Sequence, residues 1–289
     1  MATPRTTRKP AAKSAAKPSV KSATRSAATA VAKPAPKKRA ANAKERMSLA
    51  EAMSALEKAG SAQTRKTWAR HGAQEPMFGV SFAALKALVK RIGVDHDLAL
   101  ALWETKNHDA RLLAIKIADP ARVSSAELDR WARETRMRMC GSYVAMLAAE
   151  SPHGSAKARA WLASSDARLR ESAWPLAGFL TGRDETIPDA WFEERLAQIE
   201  KTIHSAPNAE REAMNMALIT IGGRNAALRK AATAAAKRIG RVEVDHGDTS
   251  CKTPDAVAYI EKMWAHAAAK KFASPAEQER ARESMRTRC

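Results

Sequence analysis

Residues 225–240, NAALRKAATAAAKRIG, contain the pattern that decides the fold of this chain. Asn225 is a residue type that caps the start of a helix, and Leu228 and the alanines after it recur at helical intervals. Alanine at so many positions allows neighbouring helices to approach closely, as stacked helix pairs require. The stretch therefore predicts one helix of a repetitive, closely packed helical array.

Two earlier stretches begin with the same pattern, DARLLA at 109–114 and DARLRESA at 166–173. The three copies start 57 and 59 residues apart, and each has an Asn or Asp cap before its Leu and Ala residues. That spacing exceeds the roughly 40 to 47 residues of an ordinary HEAT repeat, so the units are degenerate or contain three helices. The pattern predicts an all-α fold, a HEAT-like α-solenoid in which antiparallel helix pairs form a curved superhelix.

The chain after its first 46 residues is punctuated as a series of helices. No stretch shows the alternation of apolar and polar residues that marks a strand. Ser124 and Ser274 are predicted N-caps, with Glu127 and Glu277 as their capping-box partners. The last predicted helix starts at Ser274 and runs to residue 287. Prolines stand where helices must begin or end, at Asp119-Pro120, Ser151-Pro152, Ile187-Pro188 and Thr253-Pro254.

The N-terminal 46 residues carry most of the positive charge. The whole chain has 50 lysines and arginines against 31 acids, a net charge of +19. Thirteen of these bases and one acid fall within residues 1–46, which therefore hold +12 of the total. With almost no apolar side chain larger than Val, this stretch cannot form a core. We predict a disordered Lys/Ala/Pro-rich tail over 1–46 and a HEAT-like helical domain over 47–289. The tail either neutralises DNA phosphates or only keeps the protein in solution.

Composition excludes several classes of protein. Cys140, Cys251 and Cys289 form no CxxC pair, which argues against a disulfide framework. No apolar run reaches the about 20 residues needed to cross a bilayer, and the N-terminus lacks the apolar block of a secretory signal. We predict a cytoplasmic, nucleoid-associated monomer that uses no cofactor and no metal. The excess of basic residues favours a polyanionic partner, and nucleic acid is the commonest one.

Two stretches of the chain resemble one known family. Residues 77–86, MFGVSFAALK, are similar to the YFGV-x-x-x-x-LR/K motif of the AlkD-like DNA alkylation repair proteins. Residues 100–114 are similar to a helix pair of that family, and Arg170 stands where the family carries a basic residue. The resemblance covers about residues 47–270. It implies a curved HEAT-like solenoid that holds double-stranded DNA on a basic concave face.

The resemblance also implies a catalytic stretch, and this sequence departs from it. Active members excise alkylated purines, and a Trp-Asp-x-x-Asp stretch on their central helix stabilises the cationic transition state. The residues MRMCG align with that stretch, so Met137 replaces the Trp and Gly141 replaces the second Asp. Arg138 disfavours a cation at this place. An alkylpurine glycosylase activity therefore stays open, with Glu134 or Asp166 as a substitute carboxylate.

Basic residues at helix starts and on predicted exposed faces are the candidates for phosphate contact, because a guanidinium matches phosphate oxygens. The alternative is an ordinary solvated face. Trp174 is either a stacking partner for deoxyribose or a distorted base, or a core residue. The predicted DNA-binding residues are Arg136, Arg138, Arg168, Arg170, Trp174, Arg224 and Arg229.

Residues 242–255, VEVDHGDTSCKTPD, are the least repetitive part of the predicted domain. One His and one Cys are too few for a closed zinc site. We predict an ordered loop that caps helix ends or holds a phosphate or nucleotide, with Gly247 in a left-handed conformation. Pro254 is predicted in the first turn of the next helix. The candidate site residues of this loop are Asp245, His246, Asp248, Lys252 and Thr253.

Two classes of function are consistent with these patterns. The first is duplex-DNA binding in alkylation repair, in which a basic groove engages the phosphate backbone of damaged DNA. The alternative is a non-enzymatic protein-interaction scaffold or a nucleoid-associated DNA-binding protein, because solenoids present long concave surfaces to peptides as readily as to DNA.

Overall fold

The structure, a computed structural model, describes residues 46–288. Within this range the chain forms fourteen α-helices, and Gly60 and Val80 form the one β-bridge. The predicted tail lies outside the described residues except for Arg46. None of the helices in this range has the length and apolarity needed to traverse a bilayer. The helices are α1 Leu49–Ala59, α2 Ala62–Arg70, α3 Phe82–Ile92, α4 His96–Glu104, α5 His108–Ile117, α6 Ser125–Glu134, α7 Arg138–Glu150, α8 Gly154–Leu162, α9 Ala167–Arg183, α10 Asp189–Thr202, α11 Asn208–Ile221, α12 Ala226–Ile239, α13 Ala256–Ala269 and α14 Pro275–Arg280.

Six helices form one continuous layer, which we call the inner layer. Along the chain α3, α5, α7, α9, α11 and α13 lie side by side, and each packs against the next. Helices α4, α6, α8, α10 and α12 connect them and form the outer layer. The connections between successive helices are short except between α2 and α3 and between α12 and α13. The predicted all-α solenoid of antiparallel helix pairs is confirmed.

The predicted helix caps are confirmed, with one difference. Ser124 and Glu127 form a complete capping box at the start of α6. Ser274 accepts a hydrogen bond from the Glu277 amide at the start of α14. The Glu277 carboxylate, however, accepts from the Ala273 amide rather than from the cap residue. Local capping chemistry therefore fixes both helix starts.

The third copy of the sequence pattern lies in a different layer from the first two. The copies that start at 109 and 166 open α5 and α9 of the inner layer, whereas Asn225 caps α12 of the outer layer. The inner-layer counterpart is α11, whose N-cap is Pro207. The predicted repeat register is therefore wrong for the third copy. Asp166 and Asn225 are N-caps as predicted, but the predicted cap of the first copy is wrong, because Asn107 caps α5 and Asp109 is the second residue of that helix.

A buried aspartate joins the two stretches that carry the family resemblance. Asp109 is 0% exposed, and its carboxylate accepts hydrogen bonds from three successive backbone amides. The distances are 2.7 Å from Phe78, 3.0 Å from Gly79 and 2.9 Å from Val80. Gly79 has φ +80°, and a Cβ there would lie 2.5 Å from the Ser61 carbonyl oxygen. The loop before α3 is thus fastened to the first turn of α5.

Arginine recurs at the fourth residue after the N-cap in α5, α9 and α11 of the inner layer. Each of these guanidinium groups donates to a backbone carbonyl of the segment before its own helix. The pairs, with their distances, are Arg111 and Trp103 at 3.2 Å, Arg170 and Ser165 at 2.8 Å, and Arg211 and Ala206 at 3.0 Å. We call Arg111, Arg170 and Arg211 the bracing arginines.

The chain after α13 turns back and crosses the inner layer. The predicted helix over 274–287 is wrong beyond Arg280, because residues 281–288 form turns. Arg286 is 3% exposed, and its guanidinium donates to the Ile115 carbonyl at 2.6 Å and the Lys116 carbonyl at 2.8 Å. These bonds hold the end of the chain against α5.

Candidate nucleic-acid interface

A hollow of about 430 Å³ opens in the inner layer between α7, α9 and α11. We call it the central hollow. Three predicted phosphate-binding residues, Arg136, Arg138 and Arg168, line it. The structure therefore brings these three together. The larger apolar side chains of the lining are Met137, Met139, Tyr143, Pro175, Phe179, Met216 and Met285.

The central hollow lies where α7 lacks a bracing arginine. The fourth residue after its N-cap, Met137, is Gly141. A Cβ at this position would meet Ser172 Oγ at 3.5 Å and Thr135 Oγ1 at 3.7 Å, which are ordinary contacts. Small size at position 141 therefore leaves open a space that a long side chain would fill. This is the position at which the resemblance placed the catalytic aspartate.

Of the three arginines that line the central hollow, which we call the rim arginines, two face a carboxylate. Arg138, 42% exposed, forms an ion pair with Glu212 of α11. Arg168, 45% exposed, has its Nη1 3.5 Å from Glu171 Oε2 on the same helix. Arg136 is exposed and forms no salt bridge within residues 46–288. Two rim arginines are thus held in ion pairs, and the third has no carboxylate partner within residues 46–288.

Glu171 lines the central hollow and has a perturbed pKa. Burial raises the pKa of Glu171, and the charges of Arg168 and Arg138 only partly offset this effect. Glu171 thus places a carboxyl group of α9 at the central hollow. No sequence pattern singled it out, since glutamates are frequent throughout the helices.

The substitute carboxylates predicted from the sequence are engaged elsewhere. Glu134 accepts from the Arg111 guanidinium at 2.6 Å and from the Trp103 indole at 2.8 Å. Asp166 caps α9 and accepts from Arg133 Nε at 3.1 Å. Both groups stabilise helix ends and neither lines the central hollow.

Arg170 and Trp174 serve the packing of α9 rather than a DNA surface. Trp174 is 1% exposed, and its indole N–H lies 3.3 Å from Glu210 Oε1. The expectation that it stacks on DNA is therefore wrong, and it is a core residue. Arg170 is a bracing arginine whose Nε lies 3.4 Å from Glu210 Oε2. Its hydrogen-bonding groups are taken up by the protein itself.

Arg224 and Arg229 lie away from the central hollow. The Arg224 side chain is 10% exposed and donates to the Ile187 carbonyl at 2.8 Å and the Thr181 carbonyl at 2.9 Å. Such a buried group cannot reach a duplex. Arg229 belongs to α12 of the outer layer and lies 4.9 Å from the centre of the Trp264 ring. The structure therefore does not support either residue as part of an inner-layer DNA site.

The loop over 242–255 is ordered by contacts with the start of α11. The Asn208 side chain donates to the Asp245 carbonyl at 2.6 Å and accepts from the Asp245 amide at 2.8 Å. His246 has its Nε2 3.0 Å from Thr253 Oγ1 and its Nδ1 3.9 Å from Glu212 Oε2. Glu212 thus links the loop to the rim of the central hollow.

Of the remaining predictions for this loop, the one for Gly247 is confirmed and the one for Pro254 is wrong. Gly247 has φ +56°, as predicted. Pro254 precedes the helix rather than lying in its first turn, because Asp255 is the N-cap and accepts from the Ala258 amide at 2.8 Å. Asp248 and Lys252 are exposed. Whether the loop holds a phosphate stays a prediction.

Known proteins similar to this chain agree with the fold. The sequence profile of the family described as DNA alkylation repair enzyme matches residues 52–260. An uncharacterized protein of Listeria innocua is 29% identical over 206 residues, 69% of this chain and 89% of the relative. One of Listeria monocytogenes is 28% identical over the same shares.

A solved structure is similar over most of its length. It has a TM-score of 0.69 and 30% sequence identity, and the match covers 78% of this chain and 96% of that one. It is described as belonging to a new family of proteins related to the HEAT-like repeat DNA glycosylases, with affinity for branched DNA structures. Together with the match over residues 52–260, this shows that the chain belongs to the DNA alkylation repair family.

Proposed function

We propose that this protein binds DNA through the rim of the central hollow and recognises distorted or branched DNA. The observation that carries the proposal is the convergence of Arg136, Arg138 and Arg168 on one opening of the inner layer. Arginine is the side chain best suited to bidentate phosphate contacts. The similar structure with affinity for branched DNA supports the same class of ligand.

The rim can accept phosphates by exchanging partners. In the free protein Glu212 and Glu171 hold Arg138 and Arg168. A phosphate oxygen offers each guanidinium an equivalent partner, and Arg136 adds a cation that pairs with no carboxylate of residues 46–288. The first turn of α7 also lacks a side-chain cap within the described residues, and helix N-termini favour anions. Phosphate contacts supply most of the affinity of proteins for DNA.

We further propose that base excision by the family mechanism does not occur. Gly141 offers no carboxylate to a developing cation, and the two acidic groups of the central hollow already face arginines. An arginine beside a cationic transition state raises its energy. Recognition without excision is the activity that this arrangement supports best.

The excision assay has a defined expectation. Incubation of the protein with methylated DNA should release no 3-methyladenine or 7-methylguanine above the uncatalysed rate, as measured by chromatography of free bases. Glu171→Gln is the informative variant, because Glu171 is the perturbed carboxyl of the rim. Release by the wild type that disappears in Glu171→Gln would contradict the proposal and identify a relocated catalytic carboxylate.

Binding to DNA should depend on the rim arginines in a way that salt reveals. Replacing Arg136, Arg138 and Arg168 with Ala should lower the slope of log affinity against log salt concentration by about one unit per lost contact. The measurement is fluorescence anisotropy with a labelled four-way junction at several salt concentrations. Arg238→Ala is the matched control, because Arg238 is exposed on α12 and paired with Glu200.

Two outcomes would decide against the proposal. Equal losses of slope in the rim and control variants would show that DNA contacts the chain without preference for the inner layer. Unchanged DNA binding by the triple variant would indicate that the basic residues 1–46 supply the affinity. The central hollow would then be free for a peptide, as in a protein-interaction scaffold.

A further inference from the structure

We propose that the central hollow takes up one unpaired nucleobase of the bound DNA. This inference rests on the proposed function and assigns a ligand to the apolar interior that the phosphate contacts leave unused. The rim arginines would hold the backbone while the base leaves the stack and enters between α7, α9 and α11. The relevant partner is a DNA site that already contains an unpaired base.

The size and lining of the central hollow suit a flat, partly apolar group. Its volume of about 430 Å³ falls within the ~300–1,000 Å³ range of small-molecule sites. Phe179 offers a half-buried ring surface, and Met139, Met216 and Met285 offer polarizable side chains that adapt to a flat ring. Proteins that hold single bases do so by stacking them on aromatic and apolar side chains.

The apolar interior is open to solvent rather than sealed within the core. Met216 is 37% exposed, one of four large apolar side chains in residues 46–288 with such exposure. A methionine in water at the edge of a cavity is a cost to the free protein that a bound ligand removes. The central hollow is therefore accessible to a ligand from solvent.

The charges around the opening select the occupant. Arg136, Arg138 and Arg168 stand at the rim of an apolar interior, so the complementary ligand is anionic outside and apolar inside. A nucleotide has this distribution, because its phosphate is charged and its base is a weakly polar ring. A hydrophobic peptide has no such charge.

Polar groups inside the central hollow can satisfy the edge of a base. Ser172 and Thr220 line it with hydroxyl groups, of which Thr220 donates to the Met216 carbonyl at 2.8 Å and so offers a base an acceptor only. Glu171 adds a carboxyl that accepts from an amino group of the base. These groups are few compared with the apolar lining, which favours stacking over sequence-specific recognition. We expect unpaired purines to bind in preference to pyrimidines, because their larger rings stack more strongly.

The decisive experiment removes the base and fills the central hollow independently. The probes are a DNA duplex with one unpaired adenine and the same duplex with an abasic tetrahydrofuran at that position. Wild-type protein should bind the adenine probe about tenfold more tightly. In Gly141→Leu the side chain should occupy the space, and this ratio should fall to about one. Gly141→Ala is the matched control, because a Cβ meets only ordinary contacts there, and it should keep the ratio.

A second variant tests the inference even if Gly141→Leu does not fold. Phe179→Ala removes a ring from the lining without filling the central hollow and should also lower the ratio. Thermal unfolding by circular dichroism reports whether each variant is folded. Equal affinity of the wild type for both probes, with DNA binding retained, would overturn this inference alone. Absence of affinity for either probe would overturn the proposed function together with it.

Discussion

Asp109→Ala is expected to lower the free energy of unfolding by about 3–5 kcal/mol, the range for removing one member of a buried charged hydrogen-bond network. Three backbone amides, those of Phe78, Gly79 and Val80, donate to this carboxylate. The substitution leaves all three without their acceptor in a site from which water is excluded. For a domain of this size the midpoint of thermal unfolding should fall by roughly 10 °C.

The control for this prediction occupies the same helix position at the surface. Asp97 is the second residue of α4, as Asp109 is the second residue of α5. Its side chain is 60% exposed and pairs with Arg122. Asp97→Ala should therefore have a much smaller effect, because water replaces the lost partner. Differential scanning calorimetry of both variants is the measurement, and comparable losses would show that the three buried bonds are not the source of stability.

The helices were predictable because each helix start is determined by the few residues around it. Ser124 with Glu127 and Asp166 before Ala167 announce helix starts that need no distant partner. The prolines at 120, 152, 188 and 254 likewise mark breaks through the geometry of one residue. What the sequence did not show was the layer to which each helix belongs. Asn225 opens α12 with the same chemistry that opens α5 and α9, and only packing separates them.

The site was predictable only in part, for a similar reason. Arg136, Arg138 and Arg168 stood out as arginines at helix starts, and they converge on the central hollow. Arg224 shares this feature and Trp174 was a candidate for stacking, but both side chains are engaged in internal contacts. Their partners lie 36 and 43 residues away along the chain, a distance that no local pattern spans.

No sequence pattern indicated that Glu212 and Glu171 would lie at the central hollow. Glu212 follows a bracing arginine on α11 and reaches the rim, where it contacts both Arg138 and His246. Glu171 lies one residue after another bracing arginine on α9. Each carboxylate thus lies in the first turns of a helix whose arginine serves the fold. The same helix starts therefore supply both the bracing of the solenoid and the charges of its candidate site.

Arg286→Ala is expected to destabilise the protein by about 3–5 kcal/mol, because it removes one member of a buried ion pair. The Arg286 side chain is 4% exposed, and its Nε lies 3.0 Å from Glu150 Oε2 at the end of α7. Burial lowers the pKa of Arg286, whereas Glu150 favours its charged form. The same guanidinium donates to the Ile115 and Lys116 carbonyls, so one substitution leaves a carboxylate and two carbonyls with fewer partners.

The effect of Arg286→Ala should extend from stability to the candidate site. Arg286 holds the C-terminal segment against α5, and its neighbour Met285 lines the central hollow. Release of this segment should therefore lower the ratio of affinities for the adenine and abasic probes as well as the unfolding midpoint. Arg280→Ala is the matched control within the segment, because that arginine is 37% exposed and pairs with an exposed Glu185. It should cost below about 1 kcal/mol. An unfolding midpoint of Arg286→Ala within one or two degrees of the control, roughly 0.5 kcal/mol, would show that the segment does not stabilise the inner layer.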